Sequence, residues 1–156
     1  MKILHTADWH LCERVGNVDR TDDLKRRVEI VAGLCEEHGV DVVLIAGDLF
    51  SERATVEEMT ESVKHLNEAF RPFFRRGGTI LSVTGNHDRE NRIEMLRAGM
   101  RLADPVANGR RFQAGRMYLL NRPFFGTLQT PHGDRAQFVL IPYPTSSRYA
   151  EPDDQF

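Results

Sequence analysis

Val40-Asp41-Val42-Val43-Leu44-Ile45-Ala46-Gly47-Asp48-Leu49-Phe50 is the stretch that decides the fold. Val40–Ala46 is almost unbroken and rich in β-branched residues. A strand with one wet face alternates polar and apolar side chains, whereas a run like this suits a strand covered on both faces, as in a parallel sheet. It stops at Gly47-Asp48. Upstream, residues 22–38 read as a helix, because Leu24, Val28, Val31 and Cys35 recur at spacings of four, three and four, and Gly39 supplies the stop. Before that, Ile3-Leu4-His5-Thr6-Ala7 is a short strand ending at Asp8. Downstream, Thr55 with Glu58 three residues later forms a capping box. The helix it opens presents Val56, Met59, Val63, Leu66 and Phe70, a stripe that continues into Phe73 and Phe74 and reads as core. Pro72 is expected to kink or end it. Thr79–Val83 is a third strand, followed by Thr84-Gly85-Asn86-His87-Asp88 and a helix over 89–100. Strands alternating with helices imply right-handed crossovers and a layered α/β sheet. Beyond Asp104-Pro105 the helical period fades, and short strands are expected at 111–114, 117–120, 124–129 and 137–142. Residues 146–156 read as a polar tail or truncation point.

Composition narrows the classes. A chain of 156 residues is one domain or a piece of a larger one. No apolar run approaches the ~20 residues of a membrane span, so no membrane partner is expected. The start, MKILHTADWH, meets Asp8 and His10 too soon for a signal peptide. Two cysteines, Cys12 and Cys35, make no disulfide framework. These features fit a cytoplasmic protein. A net charge of −2 excludes a generic basic DNA-coating protein. Of the 21 basic residues all but Lys2, Lys25 and Lys64 are arginine, which suits phosphate contact. Genomic composition bias explains that equally, so it carries little weight.

The chemistry sits at the strand ends. Asp8-x-His10, Gly47-Asp48 and Gly85-Asn86-His87-Asp88 follow the three strands at intervals of about 40 residues, each long enough for one crossover. All three clusters therefore reach the carboxyl edge of the sheet, where α/β proteins bind ligands. Asp8 and His10, two apart in an extended segment, are expected to point the same way. Each cluster alone would be an ordinary turn; three at successive strand ends read as a metal site. Carboxylate, imidazole and amide oxygen without thiolate suit Mn, Fe or Zn. Asp48, central in chain order, is the natural bridge between two cations, and two cations about 3.5–4 Å apart clamp a phosphoryl group. Gly47 and Gly85 let the chain turn sharply and approach the site.

HTADWHL, AGDLF and TGNHD, in that order and spacing, resemble the first three motifs of calcineurin-like metallophosphoesterases, and the opening is most similar to the SbcD branch of DNA nucleases. The resemblance implies a sandwich with helices outside two central β-sheets, of which residues 1–145 are the N-terminal part. It implies that Asp8 and His10 bind a first metal, that Asp48 bridges, and that Asn86 binds the second metal through its side-chain oxygen. His87 would stabilise charge on the phosphate or protonate the leaving oxygen, and Asp88 would orient its neighbours. The implied cofactors are two divalent ions, usually Mn2+, with Fe or Zn compatible. The implied partners are DNA, an SbcC-like ATPase and a second copy in a homodimer, and the implied reaction is phosphodiester hydrolysis in double-strand-break repair.

The chain departs from that pattern. The family's later ligands, an isolated His and a Gly-His-x-His, have no counterpart; His132 reads as a loop histidine. The chain alone is therefore expected to be weakly active or inactive. Cys12 stands where Gly is common and is expected to pack. Ser51 stands where an acidic residue or His is common. Arg14, Arg20, Arg53, Arg89 and Arg92 lie near the motifs and would suit DNA phosphates or plain solvent exposure. Two other functions remain open: a phosphoesterase for nucleotides or small phosphodiesters, and a non-catalytic dimerising or partner-binding module.

Overall fold

The computed structural model describes residues 1–101 and 111–145; the polar tail over 146–156 lies outside the described residues. In chain order the strands and helices are β1 (Ile3–Thr6), β2 (Arg14–Val15), β3 (Val18–Asp19), α1 (Thr21–Glu37), β4 (Val42–Ala46), α2 (Val56–Ala69), α3 (Arg71–Arg75), β5 (Thr79–Val83), α4 (Glu90–Arg101), β6 (Arg111–Phe112), β7 (Met117–Leu120), β8 (Phe124–Gln129) and β9 (Arg135–Leu140). The three strands and the helices expected from the apolar period are present.

The central sheet has the order β1-β4-β5-β7, and every pair in it is parallel. β4 is covered on both sides, as its composition requires. Val43 and Ile45 face a cluster with Leu24, Val28, Phe70 and Phe73, on the side of α1, α2 and α3. Val42 and Leu44 face the opposite cluster, which holds Phe112, Leu128, Phe138 and Leu140 from the second sheet. That second sheet has the order β6-β8-β9, with β8 and β9 antiparallel. The architecture is helices over one face of a parallel sheet and a second sheet against the other.

Local chemistry explains the element ends. The Thr55 hydroxyl accepts from the Glu58 N–H while the Glu58 side chain accepts from the Thr55 N–H, so both ends of the capping box form. The helix then breaks at Phe70 rather than bending. Pro72 sits in the first turn of α3, where its missing N–H costs nothing. Arg76 closes α3: its guanidinium donates to the carbonyls of Cys35 and Val40 and lies over the Phe73 ring. Cys12 and Cys35 are both buried free thiols, and burial pushes Cys35 up to about 11.

Two features differ from the sequence expectation. The residues of β7 read only as one of several short strands, yet they extend the parallel sheet as its fourth member. A small hairpin, β2–β3, precedes α1; its turn is Gly16-Asn17, with Gly16 at φ +60°, a pairing that favours tight hairpins.

Phe70 is fully buried and touches the rings of Trp9, Phe73 and Phe74. Phe70→Ala is expected to lower unfolding free energy by about 3–5 kcal/mol, measured as a shifted urea midpoint with unchanged slope.

Candidate metal centre

The carboxyl ends of β1, β4 and β5 open onto one loop cluster. Backbone pairing between the first two strands continues beyond the sheet. The Asp8 N–H donates to the Gly47 carbonyl (3.2 Å), His10 N–H to Asp48 (2.9 Å) and Leu11 N–H to Leu49 (3.0 Å). Ser51 N–H returns a bond to Leu11 (2.9 Å). The two loops are thus zipped together, and Trp9, Leu11, Leu49 and Phe50 are buried beneath them. The Trp9 indole stacks on Phe70 and donates to the Thr6 hydroxyl. With Trp9 and Leu11 anchored in the core, Asp8 and His10 are left facing the opening.

The backbone that achieves this is not extended. Asp8 has φ +55°, His10 +44°, Cys12 +68° and Asp48 +50°. The expectation that Asp8 and His10 share a face through strand alternation is therefore wrong. Left-handed conformations, each costing about 1–3 kcal/mol for a residue with a side chain, bring them together. Among the described residues, these four are the non-glycine positions with positive φ, and all belong to the two zipped loops. Strain confined to one site marks a place where the fold holds side chains against local preference.

The result is a compact donor group. One ligand atom from each of Asp8, His10 and Asp48 lies within 4.8 Å of the others. His10 Nε2 is 3.9 Å from Asp8 Oδ1 and 3.9 Å from Asp48 Oδ2. Asp8 is exposed, His10 half-buried and Asp48 buried, so the cluster opens outward from a fixed floor. Two carboxylates this close repel each other, and a divalent cation between them relieves that repulsion; hard oxygen and imidazole nitrogen suit such an ion. By composition and spacing, the residues fit a metal.

The third loop is locked to the second through carboxylates. Asp48 Oδ1 accepts from the His87 N–H at 2.9 Å. Asp88 is buried, and its carboxylate accepts from Leu49 N–H (3.2 Å), Phe50 N–H (3.0 Å) and Gly85 N–H (2.9 Å). Three N–H groups converging on one side chain pin Gly85–Asp88 against the β4 loop. Gly47 turns at φ +93°, as expected. Gly85 serves by close approach: a Cβ there would lie 2.0 Å from Asp48 Oδ1. The His87 ring stands edge-on to His10, with centroids 5.3 Å apart. Asn86 is exposed, between Gly85 and His87 in the third loop.

Of the remaining sequence candidates, Arg20 lines the cavity beside Asp8 and His10, and Arg89 lies near His87 through Glu52. Cys12 packs: it is buried with Sγ 3.0 Å from Ser62 Oγ, and burial pushes its thiol pKa up. His132 is in an exposed turn between β8 and β9. Arg14 pairs with Glu58 and Arg20 with Asp23. Arg92 donates to the Ala54 carbonyl, and Arg53 is exposed. One residue was not singled out from the sequence: Glu52, whose carboxylate reaches both His87 and Arg89. The available signal was an acidic residue directly after Ser51, in the loop leaving Asp48.

The family model of calcineurin-like phosphoesterases matches residues 1–151. A curated relative, the SbcD subunit of the SbcCD nuclease from Staphylococcus epidermidis, is 30% identical over 97 residues, which cover 60% of this chain. The match spans 24% of that relative, about a quarter of its length. Among the described residues no helix is long and apolar enough to cross a membrane.

Gly85→Ala is expected to push the third loop off Asp48. Overpacking of this kind costs about 1–3 kcal/mol, read by urea unfolding, and Mn2+ affinity measured by calorimetry should fall with it.

Proposed function

The chain belongs to the calcineurin-like phosphoesterase family, and from that membership we propose that it is the N-terminal part of an SbcD-type nuclease domain, spanning residues 1–145. The reaction is phosphodiester hydrolysis on DNA. Asp8, His10 and Asp48, with the Asn86 side-chain oxygen, would hold the two divalent ions, Asp8 and His10 serving the first, Asn86 the second and Asp48 both. The ions, when bound, polarise the phosphoryl group and supply an activated water. His87 meets the negative charge that develops on the phosphate or gives a proton to the leaving oxygen. Asp88 keeps the Asn86-His87 loop against Asp48. Manganese is the proposed metal, an SbcC-like ATPase the proposed partner, and the cytoplasm the proposed location. The observation that carries the reading is the convergence of Asp8, His10 and Asp48 donor atoms within 4.8 Å.

The donor set also limits what this chain does alone. Among the described residues one such three-donor cluster is present, so the second ion has Asp48 and Asn86 as its main ligands and binds weakly. Calorimetric titration with Mn2+ should find one tightly bound ion per chain and no second, with the tight binding lost in Asp48→Ala. No Mn2+ uptake by the unaltered chain would overturn the reading. On duplex DNA with Mn2+, the pure chain should cleave weakly or not at all. Strong cleavage that His87→Ala abolishes would overturn the weak-activity proposal while supporting the nuclease assignment. Activity on small phosphodiesters with none on DNA would favour the alternative substrate class.

Self-association is the second proposal. Val56, Met59 and Val63 of α2 and Met95, Leu96 and Met100 of α4 line an apolar cleft of about 420 Å³, with Met95 largely exposed. An exposed apolar groove of this kind supports docking of a second copy. Light scattering should then show a dimer that Met95→Glu converts to monomer.

A further inference from the structure

A cavity of about 450 Å³ opens beside the donor group, and nothing in the metal chemistry above uses it. Asp8 and His10 both line it, so it is continuous with the metal centre. Helix α1 contributes Leu24, Val28 and Val31, four and three residues apart, which form one apolar strip along the helix. Leu24 and Val28 are buried and Val31 is half-buried. Glu13 and Arg20 supply polar lining. The Arg20 guanidinium is held in place: it donates to the Asp23 carboxylate at 2.8 Å and stands 3.9 Å from that of Glu13. Its backbone N–H donates to the Glu13 carbonyl at 3.1 Å. A guanidinium has five N–H donors and a flat face, so these contacts orient Arg20 without using up its capacity.

The lining decides what fits. Whatever enters this cavity is attached to the group that the metal donors engage, and a phosphodiester carries an organic group on each side of its phosphorus. A second phosphate suits the cavity poorly. Arg20 and Arg27 are both already matched by the Asp23 carboxylate, with Glu13 beside Arg20, whereas phosphate binding draws on cations free to replace counterions. A charged or hydroxyl-rich group against Leu24, Val28 and Val31 would also be left without partners. A nucleobase meets both halves of the lining. Its ring lies against the aliphatic strip, and its π-face accepts a guanidinium plane. The volume falls in the range of about 300–1,000 Å³ usual for small-molecule sites.

We propose that this cavity is a nucleobase subsite: it takes the base of a nucleotide next to the scissile phosphate, against Leu24, Val28 and Val31 of α1, with the Arg20 guanidinium on its face. This rests on the reading of the centre as one that acts on DNA. The nucleoside, and not the phosphate alone, is then part of what the site recognises. Stacking of this kind tolerates any base, because every base has a π-face.

The test is a titration of the full chain, carrying 13C-labelled Leu and Val methyl groups, with the thymidine dinucleotide TpT in metal-free buffer, so that nothing is cleaved. The methyl signals of Leu24, Val28 and Val31 should shift saturably, while those of Val139 on β9 stay in place. Dimethyl phosphate, a phosphodiester without bases, should leave all of them unmoved. Arg20→Ala should weaken TpT binding about tenfold, the loss of one stacking contact. Its thermal midpoint should change little, because Arg20 begins α1 without capping it through its side chain. Val31→Trp, which fills the cavity from a half-buried position, should weaken TpT binding as well. Equal shifts with dimethyl phosphate overturn the proposal, and so does TpT binding that neither variant weakens. If TpT binds as described but the chain takes up no Mn2+, the base subsite stands and the nuclease reading falls. If Mn2+ binds at Asp8, His10 and Asp48 but TpT leaves the α1 methyl signals unmoved, the metal centre stands and the subsite falls.

Discussion

The backbone zipper between the loops after β1 and β4 is the constraint on which the site depends. Four hydrogen bonds, from Asp8 to Gly47, His10 to Asp48, Leu11 to Leu49 and Ser51 to Leu11, carry parallel pairing past the end of the sheet. They hold Asp8, His10, Cys12 and Asp48 in left-handed backbone that none of those residues prefers. Released from the zipper, each residue would relax toward ordinary extended or helical angles. The donor atoms would then separate. The sheet below supplies the register: Thr6 lies opposite Ile45, so the two loops start level.

Burial supplies the free energy that offsets this strain. Trp9, Leu11 and Cys12 alternate with or adjoin the ligand positions and sink into the same cluster as Phe50, Phe70 and Phe73. Each motif therefore contains its own anchor: Asp8-Trp9-His10-Leu11 and Asp48-Leu49-Phe50 put apolar side chains inward and donors outward. Asp88 performs the equivalent task for the third loop by a different means. Its buried carboxylate gathers N–H groups from Leu49, Phe50 and Gly85, so a polar group and not an apolar one ties that loop down. A buried polar group so placed is stable because its acceptor capacity is used.

Side-chain contact at the rim is looser. Glu52, His87 and Arg89 are all partly exposed, and their geometry comes from loop positions set by the zipper and by Asp88. The floor of the site is fixed by backbone bonds and burial, while the rim side chains meet solvent.

Much of this was legible in the chain itself. The apolar run of β4, the four-three-four spacing of α1, the Thr55–Glu58 box and the Pro72 break are local patterns, and local hydrogen bonding or burial enforces them. The spacing of the Asp8, Asp48 and Asn86 motifs placed all three at one sheet edge, because parallel strands joined by right-handed crossovers must all end on the same side. Other features were not legible. The sign of φ at Asp8 and His10, the entry of β7 as a fourth parallel strand, and the reach of Glu52 to His87 arise between segments about 35 or more residues apart, or from loops already held by such contacts. Sequence determined which donors the site owns and which strands deliver them. Only tertiary structure decided how they meet, because the left-handed turns that aim them are stabilised by hydrogen bonds to a neighbouring loop and by a core that no single segment contains.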